Sequence, residues 1–535
     1  MNTTDASLPL ENPAGPGIPA AAGQPAAWAS ASAPAPLVRT IPGATAGRAL
    51  VAAAAAGVLA QLLFSFQLLG LNVPVWIAVV LAAGWRFRPA DARFDRLDAW
   101  LPVGALIFAA FVALREDAML LIFDLTAAGS LTLASVVAFG GHAVTRGTWL
   151  RVVALGAKAI GVYVFGAVYL LPGIKPLASA LADRRGERSL PLLRGLLLAL
   201  PLLLIFGLLF AAADSIFATQ LRSVVDLDWL GPQFAPRAVL AGVAAWLFAG
   251  TLACAWIVRR PAGAEPADTG SRVGPSVTLG TTEALVVLVL LDVMFGVFTA
   301  LQTVYLFGGL DTFAVSGMSY SDYARRGFFE LLIAAFLALL VIIVLDRLVA
   351  AHTTASRLAA AALAAMTGIV ALSAFVRLGL YQAANGWTEL RFYALAAIAF
   401  VGIGVVLTLA AVLANRARWL PQLLLGSGLL VAICCNAVGP QAYATEQNLQ
   451  RAIDPSLVGP GGKTGLNVDY LARLGADSVP AMVAARDRLP ADVRLQLNEV
   501  LRSHAADLAA DAAAGWPSWN LARQRALDAL MAAGY

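Results

Sequence analysis

The chain has 535 residues, of which 60% are hydrophobic and only 13% are charged, and its mean hydropathy is +0.78. Soluble domains carry roughly 25% charged residues, so this composition excludes an ordinary soluble protein. The net charge of +5 would suggest nucleic-acid binding in a soluble chain. Here the arginines fall in short segments between apolar runs, where they orient membrane spans, so no nucleic-acid partner is expected.

The apolar runs are about 20 residues long, which is enough to cross about 30 Å of hydrocarbon as a helix. They lack the alternation of a transmembrane barrel, and backbone groups in lipid must be satisfied internally. The sequence therefore predicts an all-α fold, a polytopic transmembrane helical bundle.

Residues 1–45 are rich in Ala, Pro, Gly and Ser and show no periodicity, which predicts a disordered N-terminal tail. The first apolar run begins only at about Ala49, so we expect an uncleaved anchor and no signal peptide. The predicted membrane body covers residues 46–439. The predicted spans are 49–70, 72–85, 100–114, 118–140, 194–213, 237–258, 281–308, 327–345, 358–379, 391–414 and 421–439.

Residues 152–172 are ambiguous because Lys158 interrupts the apolar run and Pro172 ends it. If this segment does not cross, eleven spans result, and twenty basic loop residues lie on the side of the N-terminus against six on the other side. If it crosses, twelve spans result and the two sides carry 13 each. Because cytoplasmic loops are enriched in Lys and Arg, eleven spans with a cytoplasmic N-terminus and an extracytoplasmic C-terminus are favoured, and twelve spans remain the alternative.

Residues 440–535 contain 9 basic and 10 acidic residues and read as short amphipathic helices, which predicts a small soluble helical C-terminal region. Within it, Leu471 and Leu474 mark an apolar face, and Asp477 or Ser478 is placed to cap the next helix, with Pro480 in its first turn.

One span carries a polar stripe. At 100° per residue, Thr299 and Thr303 lie within about 20° of Asp292, and Gln302 lies about 80° away. Two interpretations stay open, interhelical hydrogen bonding or a proton or substrate path. The lone charges Asp124 and Lys158 allow the same two interpretations.

A second group of polar residues clusters near the predicted outer ends of spans. Its arginines either extend to the interface and pair with nearby carboxylates, or hold an anionic headgroup or solute. The group consists of Tyr305, Arg325, Arg326, Glu330, Arg377, Tyr381 and Arg391, with Glu389 beside it.

Four motifs carry a resemblance to a known family: "FTALQTVYLFGG" (298–309), "YSDYARRGFFEL" (320–331), "RLGLYQAANGWTELRFYA" (377–394) and "NVDYLARLGADSVPAM" (467–482). In order and spacing they resemble a family of bacterial integral membrane proteins known only as a domain of unknown function. The resemblance covers roughly Ala49 to the carboxyl end. It implies a multi-pass protein of the bacterial cytoplasmic membrane, and it assigns no reaction, ligand or catalytic residue.

For function we expect transport or permeation of a small or anionic solute. The alternatives are a membrane enzyme or lipid-binding protein acting on envelope material at the outer face, and a membrane scaffold or sensor. Membrane lipid is the expected partner. The sequence indicates no cofactor, and its three scattered histidines and three cysteines within apolar runs give no metal-ligand set.

Overall fold

The computed structural model describes residues 41–535 except 66–67, 174–233, 261–279, 308–327, 350–352, 415, 417–418, 460–461 and 463–464. In these ranges every regular element is a helix, which confirms the predicted all-α fold. The α-helices are α1 (Gly43–Phe64), α2 (Asn72–Arg86), α3 (Trp100–Leu114), α4 (Ala118–Phe139), α5 (Trp149–Phe165), α6 (Phe234–Ile257), α7 (Thr281–Phe307), α8 (Phe328–Leu348), α9 (Thr354–Asn385), α10 (Glu389–Leu413), α11 (Leu420–Val438), α12 (Pro440–Ile453), α13 (Val468–Leu471), α14 (Val479–Ala485), α15 (Ala491–Ala512) and α16 (Leu521–Ala532).

Nine segments of the described chain are long and apolar enough to cross a membrane, which confirms the expectation of a multi-pass protein. They are Gly43–Phe64, Arg96–Leu114, Ala118–Phe139, Arg151–Leu170, Pro236–Ile257, Thr281–Leu301, Thr354–Asn385, Glu389–Leu413 and Leu420–Val438. Helix α2 is apolar but shorter. The predicted span 194–213 lies outside the described residues, so the count of eleven stays a prediction.

The membrane helices pack in two groups. Helices α1 to α6 enclose one pair of apolar clusters, and α7 to α10 enclose another cluster around Leu363 and Ala364. Helix α11 contacts both α4 and α10 and so joins the groups. Helix α1 packs closely on α6, because Gly57 presents no side chain and its backbone lies against Ala241 and Ala245. Small residues at such crossings let helix backbones approach.

One end of the bundle is held by hydrogen bonds among loops, and we call it the basic end. The buried Asp98 carboxylate accepts from the backbone N–H groups of Val144 and Thr145 at 2.9 and 2.7 Å. The N–H of Arg260 donates to Gly140 O. The Gln422 amide donates to Gly147 O at 2.9 Å, which brings the start of α11 to the same end.

The opposite end of the bundle carries the C-terminal region, and we call it the docked end. Here the amide of Asn520 donates to the carbonyls of Val112 and Arg115, which end α3. The N–H of Leu71, between α1 and α2, donates to Trp519 O at 2.9 Å. Asn448 exchanges two 2.8 Å hydrogen bonds with the backbone of Trp387, between α9 and α10. The C-terminal region therefore packs on the loops that join the spans.

The ambiguous segment 152–172 begins and ends near the basic end. Helix α5 starts after the basic-end loop that contains Gly147, and it runs inward until Tyr163 and Gly166 lie against Gly250, about two turns before the basic end of α6. A 3₁₀ helix, Gly166–Gly173, then follows, and its last residue lies against the backbone of Ala46 and Gly47, in the first turns of α1. The segment thus enters the bundle and returns, although its length and apolarity would allow a crossing.

The C-terminal region has its own apolar core, formed by α12 to α16 and including the fully buried Leu471, Met482 and Leu530. Leu474 is also buried, so the predicted apolar face is correct. Pro480 lies in the first turn of α14 as predicted. The Ser478 hydroxyl, however, donates back to Gly475 O, and Asp477 accepts from Arg115 and Glu116 instead of capping α14. A cationic partner from the bundle binds this carboxylate, so it is not available as a cap.

Candidate functional site

Arg115 links the membrane body to the C-terminal region. Its Nε and Nη2 donate to the carbonyls of Asn436 and Ala437 at 2.7 and 2.9 Å, which satisfies the carboxyl end of α11. Its Nη1 donates to Asp477 Oδ1 at 3.0 Å. The Asp477 side chain is 6% exposed, so this ion pair is largely removed from water.

Glu116 reinforces the same junction. Its N–H donates to Asp477 Oδ2 at 2.9 Å, and its Oε2 accepts from the N–H of Ala476 at 3.0 Å. Arg523 Nη1 lies 3.6 Å from Glu116 Oε1. Burial raises the pKa of the Glu116 carboxyl, against the lowering effects of the Ala476 N–H and of the Arg523 guanidinium.

Next to this junction two carboxyl groups lie together at the membrane boundary. Asp117 caps α4 by accepting from the N–H groups of Met119 and Leu120, and it also accepts from the hydroxyl of Tyr393. Its second oxygen is buried and accepts no hydrogen bond. The carboxyl of Glu389, the first residue of α10, is close enough to Asp117 for the two to interact.

The C-terminal region covers the carboxyl pair. The Gln441 amide donates to Glu389 Oε1 at 2.6 Å, and the Glu389 N–H donates to the Tyr470 hydroxyl at 3.0 Å. Burial, together with the charge of Glu389, raises the pKa of Tyr470 to about 12, so this phenol stays neutral. Tyr443 packs against Trp387 at 4.8 Å between ring centroids and adds an aromatic cover.

A further carboxylate lies deeper in the bundle, on the same helix. Asp124 is 1% exposed and accepts from the Asn436 amide of α11 at 2.9 Å. Its other oxygen and the Asn436 oxygen are buried without hydrogen-bond partners. At 100° per residue, Asp117 and Ser135 lie within about 20° of Asp124. Helix α4 therefore carries one polar face, directed into the bundle, from the docked end toward the basic end.

The predicted polar stripe on α7 is described in part. Asp292 is half-buried, and its Oδ1 is buried without a hydrogen-bond partner. Thr299 is buried, and its hydroxyl donates to Phe295 O at 2.7 Å, so the hydrogen bond of this hydroxyl is made within α7 itself. Gln302 and Thr303 lie in α7, but their side chains are outside the described part of the structure. The two interpretations of this stripe both stay open.

The predicted outer arginine group is described for four of its seven members. Arg391 donates to the carbonyls of Asn385 and Gly386 and lies over the ring of Tyr381 at 4.2 Å. These contacts stabilise the carboxyl end of α9. Arg377 is buried within α9, and Glu330 is exposed in the first turn of α8. Arg325, Arg326 and the Tyr305 side chain lie outside the part of the chain that the structure describes. Convergence of these residues on an anion stays a prediction.

Arg451 was not singled out by the sequence, yet it binds the same helix end. It donates to the carbonyls of Gln382, Ala383 and Ala384. Burial, and the neighbouring charge of Arg391, lower the pKa of Arg451. Asp117, Tyr393 and Asn436 were also missed. The i, i+7 spacing of Asp117 and Asp124 was the available signal, because two turns place both on one helix face. Among the described residues no cluster of three or more His, Cys, Asp or Glu side chains is arranged to hold a metal ion.

Comparison with known proteins gives one match. The model of a family described as a domain of unknown function (DUF4153) matches residues 103–485, which include Arg115, Asp117, Asp124, Glu389 and Asn436. No curated protein and no solved structure matches the chain.

Proposed function

The chain belongs to this family of unknown function, and from that premise we propose that it moves a small solute across the bacterial cytoplasmic membrane, in a process linked to proton transfer at Asp124. The proposal rests on one observation above all. A carboxylate that is 1% exposed lies about 9 Å along a membrane-spanning helix, and one of its oxygens has no hydrogen-bond partner.

A carboxylate at this depth is costly unless it has a use. Placing an Asp at the centre of a spanning helix costs about 2.5–3.5 kcal/mol even on the more lenient scale, and Asp124, in the first third of α4, bears part of that cost. The single amide of Asn436 compensates only part of that cost, and residues of this kind in membrane proteins most often belong to ion or proton pathways. A protonated Asp124 would be neutral and would still hold Asn436.

The carboxyl pair at the docked end supplies the entrance to this route. Two carboxyl groups in contact repel when both are ionised, and a single shared proton relieves the repulsion. Asp117 and Glu389 are close enough for their charges to interact, and the hydroxyl of Tyr393, which donates to Asp117, is the third member of the group. Asp117 and Asp124 lie two helical turns apart on one face of α4, so the pair leads toward Asp124.

The charge of the loops determines the orientation that we propose for the protein in the membrane. In the described chain the docked end carries four arginines near span ends, Arg115, Arg237, Arg377 and Arg391. The basic end is cytoplasmic by the positive-inside rule, and the C-terminal region is extracytoplasmic. The described arginines near the basic end are Arg48, Arg86, Arg88, Arg93, Arg96, Arg146, Arg151, Arg259, Arg260, Arg357 and Arg416.

Proton flux into liposomes tests the proposal. The full chain is reconstituted, a potassium diffusion potential is set with valinomycin, and the internal pH is read from a trapped dye. Asp124→Asn keeps the volume and the hydrogen bond from Asn436, so the fold should persist. We expect it to lower proton flux at least about tenfold, because a titratable step is lost.

Thr126→Val is the matched control. Thr126 is an exposed residue of the same helix whose hydroxyl binds only Ile122 O, and its replacement should leave flux unchanged. Equal flux through wild type and Asp124→Asn would refute the proton route, as would a wild-type flux no greater than that of protein-free liposomes. Asp292→Asn in the same assay distinguishes the two intramembrane aspartates.

A further inference from the structure

The exposed tryptophans of the described chain have a common location. Each of them lies near an end of the membrane bundle. Trp85 lies in the last turn of α2, Trp100 starts α3 and Trp419 precedes α11, all at the basic end. At the docked end the exposed tryptophans are Trp516 and Trp519. Tryptophan is enriched at both boundaries of a membrane, where its ring lies at headgroup level.

The two exposed tryptophans at the docked end, Trp516 and Trp519, belong to the C-terminal region and not to a membrane span. Trp516 is 63% exposed and Trp519 is 40% exposed, in the loop "WPSW" (516–519) between α15 and α16. Pro517 and Ser518 between them are buried. The two rings therefore project from a loop whose centre is fixed against the protein.

This loop is fixed directly on the ends of spans. The carbonyl of Trp519 accepts from the N–H of Leu71, and Gly70 packs against the backbone of Ser518 and Trp519. Asn520 caps α16 and binds the last carbonyls of α3. The Arg523 guanidinium donates to Leu69 O at 2.6 Å and to Ser518 O at 2.7 Å. Leu68, beside the loop on the bundle, is also exposed, so the apolar surface continues from the loop onto the membrane body.

We infer that the WPSW loop is a membrane-surface anchor, and that its Trp516 and Trp519 rings lie among the lipid headgroups of the leaflet at the docked end. The occupant of this surface is the phospholipid interface. A cavity of about 230 Å³ lies beside the two rings, which form part of its wall together with the polar side chains of Asp511 and Gln524. This mixture of aromatic and polar groups suits the headgroup region, which is itself partly polar and partly apolar. The C-terminal region is thus held to the bilayer as well as to the loops.

Depth-dependent fluorescence quenching tests this inference. Single cysteines are placed in a background lacking Cys254, Cys434 and Cys435, labelled with a polarity-sensitive dye, and measured in the full chain reconstituted into phosphatidylglycerol/phosphatidylethanolamine vesicles. Nitroxide lipids labelled near the headgroup or at the chain end act as quenchers, and iodide reports water. Trp516→Cys should be quenched severalfold more by the shallow lipid than by the deep lipid.

Two further positions calibrate the result. Ser503→Cys lies on an exposed polar face of α15 and should be quenched by iodide alone. Leu290→Cys, exposed along α7, should be quenched most by the deep lipid. If position 516 follows position 503, the loop is in water and the inference fails. If position 516 is shielded from every quencher, a protein covers the loop and the inference fails as well.

Discussion

Removing the guanidinium of Arg115 should undock the C-terminal region from the bundle. In Arg115→Ala the carboxylate of Asp477, 6% exposed, loses its cation, and the carbonyls of Asn436 and Ala437 lose their donors. Breaking a buried ion pair on one side costs about 3–5 kcal/mol. At 1.4 kcal/mol per factor of ten, that free energy corresponds to a loss of protection between about a hundredfold and a few thousandfold.

Hydrogen exchange of backbone amides measures this loss locally. The N–H groups of Glu116 and Ala476 bond across the junction and are the reporters. Arg115→Lys keeps the charge but replaces the three-point guanidinium, so we expect an intermediate loss. Asp487→Ala breaks an ion pair whose carboxylate side chain is 74% exposed, and because solvent screens this pair the variant should leave the protection of the two reporter amides nearly unchanged. If Arg115→Ala and Asp487→Ala change protection equally, Arg115 does not hold the junction.

Two other predictions concern pH and packing. Burial raises the pKa of Glu116, so the folded state binds its proton more tightly than the unfolded state, and this contribution to stability is present at low pH and lost as pH rises through the folded pKa. Acidification from pH 7 to pH 5 should therefore stabilise the junction of wild type more than that of Glu116→Gln, and exchange rates with equal pH dependence in both would contradict it. Gly57→Ala places a methyl against the backbone of Ala241 and should lower the free energy of unfolding by about 1–3 kcal/mol. The control Gly242→Ala places its methyl in open space and should leave the melting temperature unchanged or raise it. Equal melting temperatures for the two variants would refute close packing of α1 on α6.

For most of the described helices the sequence places the spans to within a few residues, because hydropathy is a local property; the first span is an exception, since α1 is Gly43–Phe64 and the predicted span was 49–70. The start of α4 at Ala118 is where the apolar run begins, with Asp117 as its cap. Helix α9 is longer than its predicted span 358–379 because a capping box at Thr353 and the positive-φ Gly386 set its ends, and hydropathy marks only the part in lipid.

Segment 149–173 shows where hydropathy alone fails to predict the path of the chain. Its hydropathy permits a span, but its course depends on close backbone contacts of Gly166 and Gly173 with other helices, which no run of apolar letters encodes. The distribution of loop charge favoured a segment that does not cross, because the bias is counted over all loops of the chain and does not depend on the hydropathy of this one segment.

The candidate site was the least predictable part. Arg115 and Asp477 are 362 positions apart, and Tyr393 and Asp117 are 276 apart, so the contacts appear only once the helices are packed. Arg391 looked like a ligand for an anion by residue type and position. In the structure it binds carbonyls at the end of α9, since a helix carboxyl end attracts guanidinium groups as an anion does.

Water access to Asp124 is the most direct test of the proposed route. Asn436→Cys, in a background without the native cysteines, places a thiol next to Asp124, and only a thiol reached by water reacts with a charged, membrane-impermeant methanethiosulfonate. Added outside intact spheroplasts, the reagent should modify Cys at position 436, faster still when Arg115→Ala loosens the C-terminal region, and should leave a cysteine at lipid-facing Leu290 unmodified. No reaction at position 436 in either background, or reaction only from the cytoplasmic side of inverted vesicles, would contradict a polar route that opens beneath the C-terminal region on the outer face.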